Sequence, residues 1–288
     1  MLELISEHAC FGGVQRFYRH QSSAIGLPMR FSVFLPPQAQ HGQVPALFYL
    51  AGLTCTEETF MTKAGAQRYA ADVGLMLIAP DTSPRGAGVP GEADSWELGV
   101  GAGFYVDATE APWSTHYRMY SYVLELHKLV REHFAVEPDS IGIMGHSMGG
   151  HGALVLALRN PTLFRSVSAL APICAPSQCT WGEKAFSAYL GTQASAWSPY
   201  DACALIKNQF RTFPNEILVD QGLSDKFLVG QLNPQMLETV CRQADQPLNL
   251  RRHAGYDHGY YFIATVIEDH IRFHRKLLHI PAETALAA

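Results

Sequence analysis

The chain has 288 residues and a formal net charge of -5, and 16% of its residues are charged while 48% are hydrophobic. Disorder needs high charge and low hydrophobicity, and nucleic-acid binding needs a basic surplus, so this composition excludes both classes. Six cysteines in a chain of this length are too sparse for a small disulfide scaffold, and we expect them to be free thiols.

The first residues carry neither the cationic segment nor the apolar core of a secretion signal. The longest apolar stretch, near residues 46–53, is far shorter than the roughly 20 residues of a membrane-spanning helix. These features predict a cytoplasmic protein with no membrane partner.

Three segments near the N-terminus, residues 2–11, 14–20 and 29–35, are rich in β-branched and aromatic residues and predict strands joined by glycine turns. Further along, short apolar runs without alternation predict strands buried on both faces. Helical segments separate these runs. The runs cover residues 45–51, 75–80, 140–145, 166–171 and 216–220, and the helices are predicted over residues 59–71, 118–133, 149–159 and 234–244.

Strands that alternate with helices indicate an α/β protein with a mainly parallel central sheet, helices on both faces and right-handed crossovers. The N-terminal hairpins would add an antiparallel edge. Residues 255–279 predict a loop and a last helix, and residues 281–288 predict a frayed tail. Because no repeat or low-complexity linker divides the chain, residues 1–288 are predicted to form a single domain.

Residues 81–117 form a long segment without a clear period. Loops of this length in a compact domain are usually functional or disordered. This segment contains Trp96, Phe104, Tyr105 and Trp113, and the aromatic content favours an ordered pocket wall.

The sequence GHSMG at residues 145–149 matches the pattern G-x-S-x-G. It follows a predicted strand and precedes a predicted helix, which is the context that a nucleophile elbow requires. The small residues on either side relieve crowding where the strand turns sharply into the helix. Ser147 is therefore the predicted nucleophile.

A serine hydroxyl is a weak nucleophile and needs a general base, and elbow serines are followed along the chain by an acid and then a histidine. His258 is the preferred base because it lies in a glycine-flanked loop before the last helix, and His253 is the alternative. The acid should lie on a loop after a late strand. This favours Asp225, with Asp220 as the alternative if the strand ends sooner.

Acyl transfer also needs two backbone N–H groups that hold the negative charge developing on the substrate oxygen. One donor is the residue after the nucleophile, Met148. The other comes from an early loop after a strand, and Leu53 in the segment at residues 50–55 is the expected donor.

Two weaker patterns in the sequence could indicate other functions. Residues 86–91 match G-x-G-x-x-G, but Pro90 prevents a clean helix start and no βαβ unit surrounds them, so dinucleotide binding is not expected. His270 and His274 lie four residues apart on a predicted helix, but the neighbouring acids do not complete a metal motif. A packed or solvated pair is favoured, and no metal is predicted.

Taken together, these motifs resemble the S-formylglutathione hydrolase family, also called esterase D. The resemblance spans nearly the whole chain and departs at Val14, where the family commonly has Trp, and at Gly259, where it commonly has Ser. Neither departure touches a predicted catalytic position. The matching segments are residues 10–13, 50–56, 94–96, 101–109, 145–150, 179–186, 220–227 and 257–263.

The resemblance implies the α/β-hydrolase fold and hydrolysis of S-formylglutathione to glutathione and formate through a formyl-enzyme, in formaldehyde detoxification. It also implies no cofactor, a homodimer and side activity on small esters. It places Cys55 beside the active site and makes Trp181 a substrate contact, and Trp96 and Phe227 in matching segments are further candidate contacts. A broad short-chain carboxylesterase or an acyltransferase on the same fold is the alternative.

Overall fold

The computed structural model describes residues 2–208 and 212–279, so the tail predicted at residues 281–288 lies outside the described residues. Within them, nine strands form one sheet. The strands are β1 (Leu2–Cys10), β2 (Gly13–Gln21), β3 (Pro28–Leu35), β4 (Val44–Leu50), β5 (Met76–Pro80), β6 (Val136–His146), β7 (Ser166–Leu170), β8 (Ile217–Gly222) and β9 (Leu248–His253).

The strands lie in the order β1-β2-β3-β5-β4-β6-β7-β8-β9. The pairs from β1 to β5 along this order are antiparallel. Every neighbouring pair from β5 to β9 is parallel. This confirms the predicted mainly parallel sheet with an antiparallel N-terminal edge.

Helices pack on both faces of the sheet, as predicted. The side chains of Ser166 and Ser168 on β7 contact the last helix. Side chains alternate between the two faces of a strand, so the residues next to these serines point to the opposite face. The helix that begins at Met148 also packs against β7. The helices of the described residues are α1 (Thr59–Lys63), α2 (Ala66–Val73), α3 (Met119–His133), α4 (Met148–Arg159), α5 (Thr180–Leu190), α6 (Ala194–Trp197), α7 (Ala202–Asn208), α8 (Pro234–Gln243) and α9 (Tyr260–Leu278).

Several elements differ from those that the sequence predicts. The helix predicted at residues 59–71 is divided into α1 and α2, because Gly65 between them adopts a left-handed conformation with φ 66°. Strand β9 and helices α5, α6 and α7 were not predicted. Strand β9 has the sequence LNLRRH, and its partly exposed, charged side chains lack the apolar run typical of a buried strand.

Two glycines allow the ends of β4 and β6 to approach the start of α4 closely. A Cβ atom at Gly149 would lie 2.0 Å from the carbonyl oxygen of Leu50, and one at Gly145 would lie 2.1 Å from the carbonyl oxygen of Gly149. No side chain fits in either space. The turn after β6 and the loop after β4 therefore meet at the carboxyl edge of the sheet, where α/β proteins place their functional groups.

Two buried histidines remain neutral in the folded protein. His127 on α3 packs between the rings of Phe48 and Phe164, and its Nε2 has no hydrogen-bond partner in the described part of the chain. His151 on α4 lies 2.9 Å through Nε2 from the carbonyl oxygen of Phe104. Burial lowers the pKa of each of these histidines to about 4.

This burial predicts a loss of stability in mild acid. An unfolded histidine has a pKa of about 6.5, so below that pH the unfolded state binds more protons and stability falls until about pH 4. His127→Phe removes one such group. The variant should lose about 2 kcal/mol less free energy of unfolding than the parent between pH 7 and pH 5, as measured by urea unfolding.

The matched control is His133→Phe, which changes an exposed histidine at the end of the same helix. It should keep the pH dependence of the parent. Equal pH dependence of His127→Phe and the parent protein would show that His127 is not held neutral by the fold.

Candidate active site

Ser147 lies between the last residue of β6 and the first residue of α4. Its backbone has φ 57° and ψ -119°, a conformation that costs free energy for a residue with a side chain. Backbone hydrogen bonds hold it there: its N–H donates to Leu170, and its carbonyl oxygen accepts from the N–H groups of His151 and Ile173. The structure thus has the strained strand-to-helix turn of a nucleophile elbow.

Asp225 follows β8, and His258 lies between β9 and α9. The Nδ1 atom of His258 lies 2.5 Å from Oδ2 of Asp225. The carboxylate also accepts hydrogen bonds from the N–H of Phe227 at 2.8 Å and from Nε2 of Gln221 at 3.3 Å. Since Asp225 is an acceptor, Nδ1 of His258 carries the proton, and Nε2 is left to act as a base.

Ser147, Asp225 and His258 all follow strands at the carboxyl edge of the sheet. The ring of His146, the residue before Ser147, lies 4.5 Å from the ring of His258. Burial and the neighbouring His258 lower the pKa of His146, so it adds no second positive charge there. No hydrogen bond joins Ser147 to His258 within the described residues, and such bonds often tighten only when substrate is bound.

The alternative acid and base, Asp220 and His253, lie in a neighbouring polar cluster. The carboxylate of Asp220 accepts from Arg251 at 2.5 and 2.6 Å and lies 3.2 Å from Nε2 of His270 and 3.3 Å from Nε2 of His253. Burial opposes ionisation of Asp220, but its hydrogen bonds with His270 and Arg251 outweigh burial and lower its pKa. His258 has Asp225, not Asp220, as its partner.

A buried chain of hydrogen bonds continues from Asp220 into the interface between α9 and the sheet. His270 bonds Ser168 at 2.8 Å, Ser168 bonds His274 at 2.8 Å, and His274 bonds Ser166 at 2.6 Å. This polar seam fixes α9 against β7 and β8, directly after the loop that carries His258. His270 and His274, predicted to be a packed or solvated pair, are thus buried and hydrogen-bonded. Within the described residues, no group of three or more His, Cys, Asp or Glu side chains is arranged to hold a metal ion.

The N–H groups of Leu53 and Met148 are both free donors, with no hydrogen bond to any described residue. Gly52, next to Leu53, lies so close to the serine that an added Cβ would be 3.2 Å from Cβ of Ser147. Met148 is the first residue of α4, whose N-terminus favours negative charge. The loop at residues 51–55 and the start of α4 therefore present two unpaired N–H groups near Ser147.

The long segment at residues 81–117 holds this loop in place. The carbonyl oxygen of Cys55 accepts from Oγ1 of Thr82 at 2.5 Å and from Nη2 of Arg85 at 3.1 Å, and Arg85 is paired with Asp81 at 2.7 Å. The hydroxyl of Tyr105 donates to the carbonyl oxygen of Ala51 at 2.9 Å. Sequence reasoning placed Tyr105 in an ordered pocket wall but did not predict this contact. It missed Asp81, Thr82 and Arg85, because their spacing shows no pattern before the loop is folded.

Three of the four candidate substrate contacts form one aromatic row. The ring of Phe227 lies 5.1 Å from that of His258, Trp181 lies 4.7 Å from Phe227, and Trp96 lies 5.3 Å from Trp181. Trp181 is buried, whereas half of Trp96 is exposed. The row leads from His258 to solvent and can form one wall of a groove.

The fourth candidate, Cys55, is half-buried and neighbours Tyr260, which follows His258 by two residues. Burial raises the pKa of the Cys55 thiol, and hydrogen bonds with Tyr260 and Thr59 oppose that rise. The hydroxyl of Tyr260 also lies 3.4 Å from that of Tyr49. Sequence reasoning did not select Tyr260, although it lies within the motif that contains His258.

An elbow serine at the carboxyl edge of a mainly parallel sheet, with a carboxylate-bound histidine, defines a serine hydrolase of the α/β-hydrolase class. A family model for esterases matches residues 22–273. The chain is 54% identical over 280 residues to the S-formylglutathione hydrolase of Mus musculus, over 96% of this chain and 99% of the mouse protein. It is 52% identical to that of Paracoccus denitrificans, over 96% and 98% of the two chains.

The solved structure of an S-formylglutathione hydrolase from Agrobacterium tumefaciens matches with a TM-score of 0.93 and 48% identity, over 96% of this chain and 99% of that one. The chain belongs to the S-formylglutathione hydrolase family, which confirms the resemblance seen in its motifs. Among the described helices, none combines the length and the apolar character needed to cross a bilayer.

The buried cluster around Asp220 predicts a large effect of one substitution on stability. Asp220→Asn removes the charged partner of the buried His270 and one of the two carboxylates that pair with Arg251, which keeps only Asp269, so the free energy of unfolding should fall by about 3–5 kcal/mol in urea titrations. Glu238→Gln is the control, because it breaks an exposed pair with Arg252 and should cost less than about 1 kcal/mol. Equal losses in the two variants would contradict a structural role for Asp220.

Proposed function

We propose that the chain hydrolyses S-formylglutathione to glutathione and formate, with Ser147 as nucleophile, His258 as general base and Asp225 as the acid that orients it. The observation that carries the proposal is the 2.5 Å contact between His258 and Asp225 beside a serine on a strained turn. The relatives named S-formylglutathione hydrolase, which are more than half identical over almost the whole chain, support the choice of substrate.

In the first half-reaction, Oγ of Ser147 attacks the formyl carbon while Nε2 of His258 takes the hydroxyl proton. The N–H groups of Leu53 and Met148 hold the oxyanion of the tetrahedral intermediate. The carbon–sulfur bond then breaks, the proton passes from His258 to the departing sulfur, and glutathione leaves a formyl ester on Ser147.

In the second half-reaction, His258 takes a proton from water, and the hydroxide oxygen attacks the formyl ester. The same two N–H groups hold the new oxyanion. The ester bond breaks, Ser147 recovers its proton from His258, and formic acid leaves and ionises to formate in neutral solution. Asp225 stabilises the imidazolium ion in both half-reactions, and none of these steps uses a cofactor.

We place the proposed substrate contacts in two groups around His258. The aromatic row of Phe227, Trp181 and Trp96 would support the peptide part of glutathione along one wall of the groove. Cys55 would lie on the other side, next to Tyr260. The formyl group needs only the narrow space between Ser147 and the two N–H donors.

We further propose a cytoplasmic homodimer. All six cysteines are free thiols, which agrees with a reducing compartment. The cellular location and the dimer stay predictions that fractionation and analytical ultracentrifugation would test.

The substrate proposal predicts a steep preference for the smallest acyl group. From S-formylglutathione to S-acetylglutathione, kcat/KM should fall by at least about 10-fold, since a tight pocket discriminates strongly against an added carbon. Each kcat/KM value is divided by the rate constant for hydroxide-catalysed hydrolysis of the same thioester, so that the intrinsic reactivity of the acyl group does not enter the comparison. Equal corrected turnover of longer acyl chains would favour a broad carboxylesterase, and product formation that depends on an added alcohol would favour an acyltransferase.

The catalytic assignment predicts losses that do not add. Ser147→Ala and His258→Ala should each lower kcat by about 10⁴–10⁶-fold, and the double variant should be no worse than either single one. Asp225→Asn should lower kcat by about 10⁴-fold because the histidine takes the wrong tautomer. If Asp220→Asn, assayed as folded protein, lost as much as Asp225→Asn, the choice of the acid would be wrong.

A further inference from the structure

The proposed substrate and the protein carry charge of the same sign. Glutathione has two carboxylates and one ammonium group, so its thioesters are anionic at neutral pH, and the protein has a formal net charge of -5. Long-range attraction therefore cannot bring the substrate to the site. Cationic side chains near the groove would supply this attraction locally.

Two lysines near the site have no ion-pair partner among the described residues. Lys63 and Lys226 are both exposed, and neither lies within salt-bridge distance of a carboxylate in that part of the chain. Lys184, beside the aromatic row, differs because its ammonium lies 2.8 Å from Glu97 and 3.1 Å from Ser95. Its charge is already paired.

Lys226 lies at the end of the site that holds the aromatic row. It follows Asp225 directly, and its ammonium lies 4.9 Å from the centre of the Phe227 ring. That ring in turn lies 5.1 Å from the ring of His258. One aromatic side chain therefore separates the cation from the proposed base.

Lys63 is the last residue of α1 and lies near a different ring, that of Tyr260. Its ammonium lies 5.7 Å from the centre of the Tyr260 ring, and this ring neighbours Cys55 and His146. The lysine also interacts electrostatically with Cys55. The two lysines thus rest on two different aromatic rings, one that contacts the ring of His258 and one that contacts the ring of His146, and each ring holds its cation near the site.

We propose that Lys63 and Lys226 are a pair of carboxylate-binding residues that hold the two carboxylates of the glutathione moiety. This inference rests on the proposed function, because it assigns contacts within the same site. Each contact is exposed, so each should contribute modestly and weaken as salt screens it. Together they would favour anionic thioesters over neutral esters of similar acyl group.

The test measures binding without turnover of a thioester. S-methylglutathione, an unreactive thioether with both carboxylates, is assayed as an inhibitor of the hydrolysis of a neutral aryl ester, and its dimethyl ester is assayed beside it. At low salt, Lys63→Met and Lys226→Met should each raise the Ki of S-methylglutathione by about 3-fold, and the double variant by about 10-fold. Lys63→Arg and Lys226→Arg should retain most of the affinity.

Two controls separate the charge contact from other effects. The Ki of the dimethyl ester should not rise in any variant, because it has no carboxylate to lose. Lys276 is an exposed lysine on α9, about 24 Å of helix rise beyond Tyr260, and it has no salt bridge to a described residue. Lys276→Met should therefore leave the Ki of S-methylglutathione unchanged. The effect of the double variant should shrink at about 0.5 M salt, where charges are screened over a few ångströms.

An unchanged Ki in the double variant, equal changes for the dimethyl ester, or failure of S-methylglutathione to inhibit the parent protein would each overturn the proposal. The proposed function fails separately. If the lysine variants weaken S-methylglutathione binding as expected but the parent protein does not release formate from S-formylglutathione, the carboxylate contacts stand and the proposed reaction is wrong.

Discussion

The close approach of α4 to the ends of β4 and β6 is the constraint on which the rest of the site depends. Gly145 and Gly149 leave no room for a side chain, so the helix begins against the carbonyl oxygen of Leu50. The chain must then turn through the strained conformation of Ser147. The same approach places the free N–H of Met148 opposite the loop that follows β4. One packing condition thereby positions both the hydroxyl and the N–H groups around it.

The other half of the site depends on where α9 lies. His258 is in the turn before this helix, and Asp225 is in the turn after β8, so their 2.5 Å contact requires the helix and the strand to be fixed together. The buried chain from Asp220 to Ser166 joins them with hydrogen bonds rather than with apolar contacts alone. Polar groups this deeply buried are costly when a partner is lost, which makes misplacement of the helix unfavourable.

Local sequence was sufficient for some of these features and insufficient for others. The turn at Ser147 could be predicted because its glycines, strand and helix are contiguous, and Asp225 and His258 followed from chain order and flanking loops. Their catalytic roles stay predictions. Strand β9 was missed because its partly exposed, charged sequence has no apolar run, and the break at Gly65 was hidden within a helical pattern.

The polar seam also sets the axial position of α9 along the sheet. His270 and His274 are four residues apart on a helix, which is about 6 Å of rise, and Ser168 and Ser166 are two residues apart on a strand, which is about 6.6 Å. The two spacings nearly coincide, so both histidines meet serines at one alignment only. A slide of one turn would take at least one buried imidazole away from its serine partners. Helix α9 therefore has one favoured position along the sheet. The loop before it, which carries His258, is positioned by the same contacts.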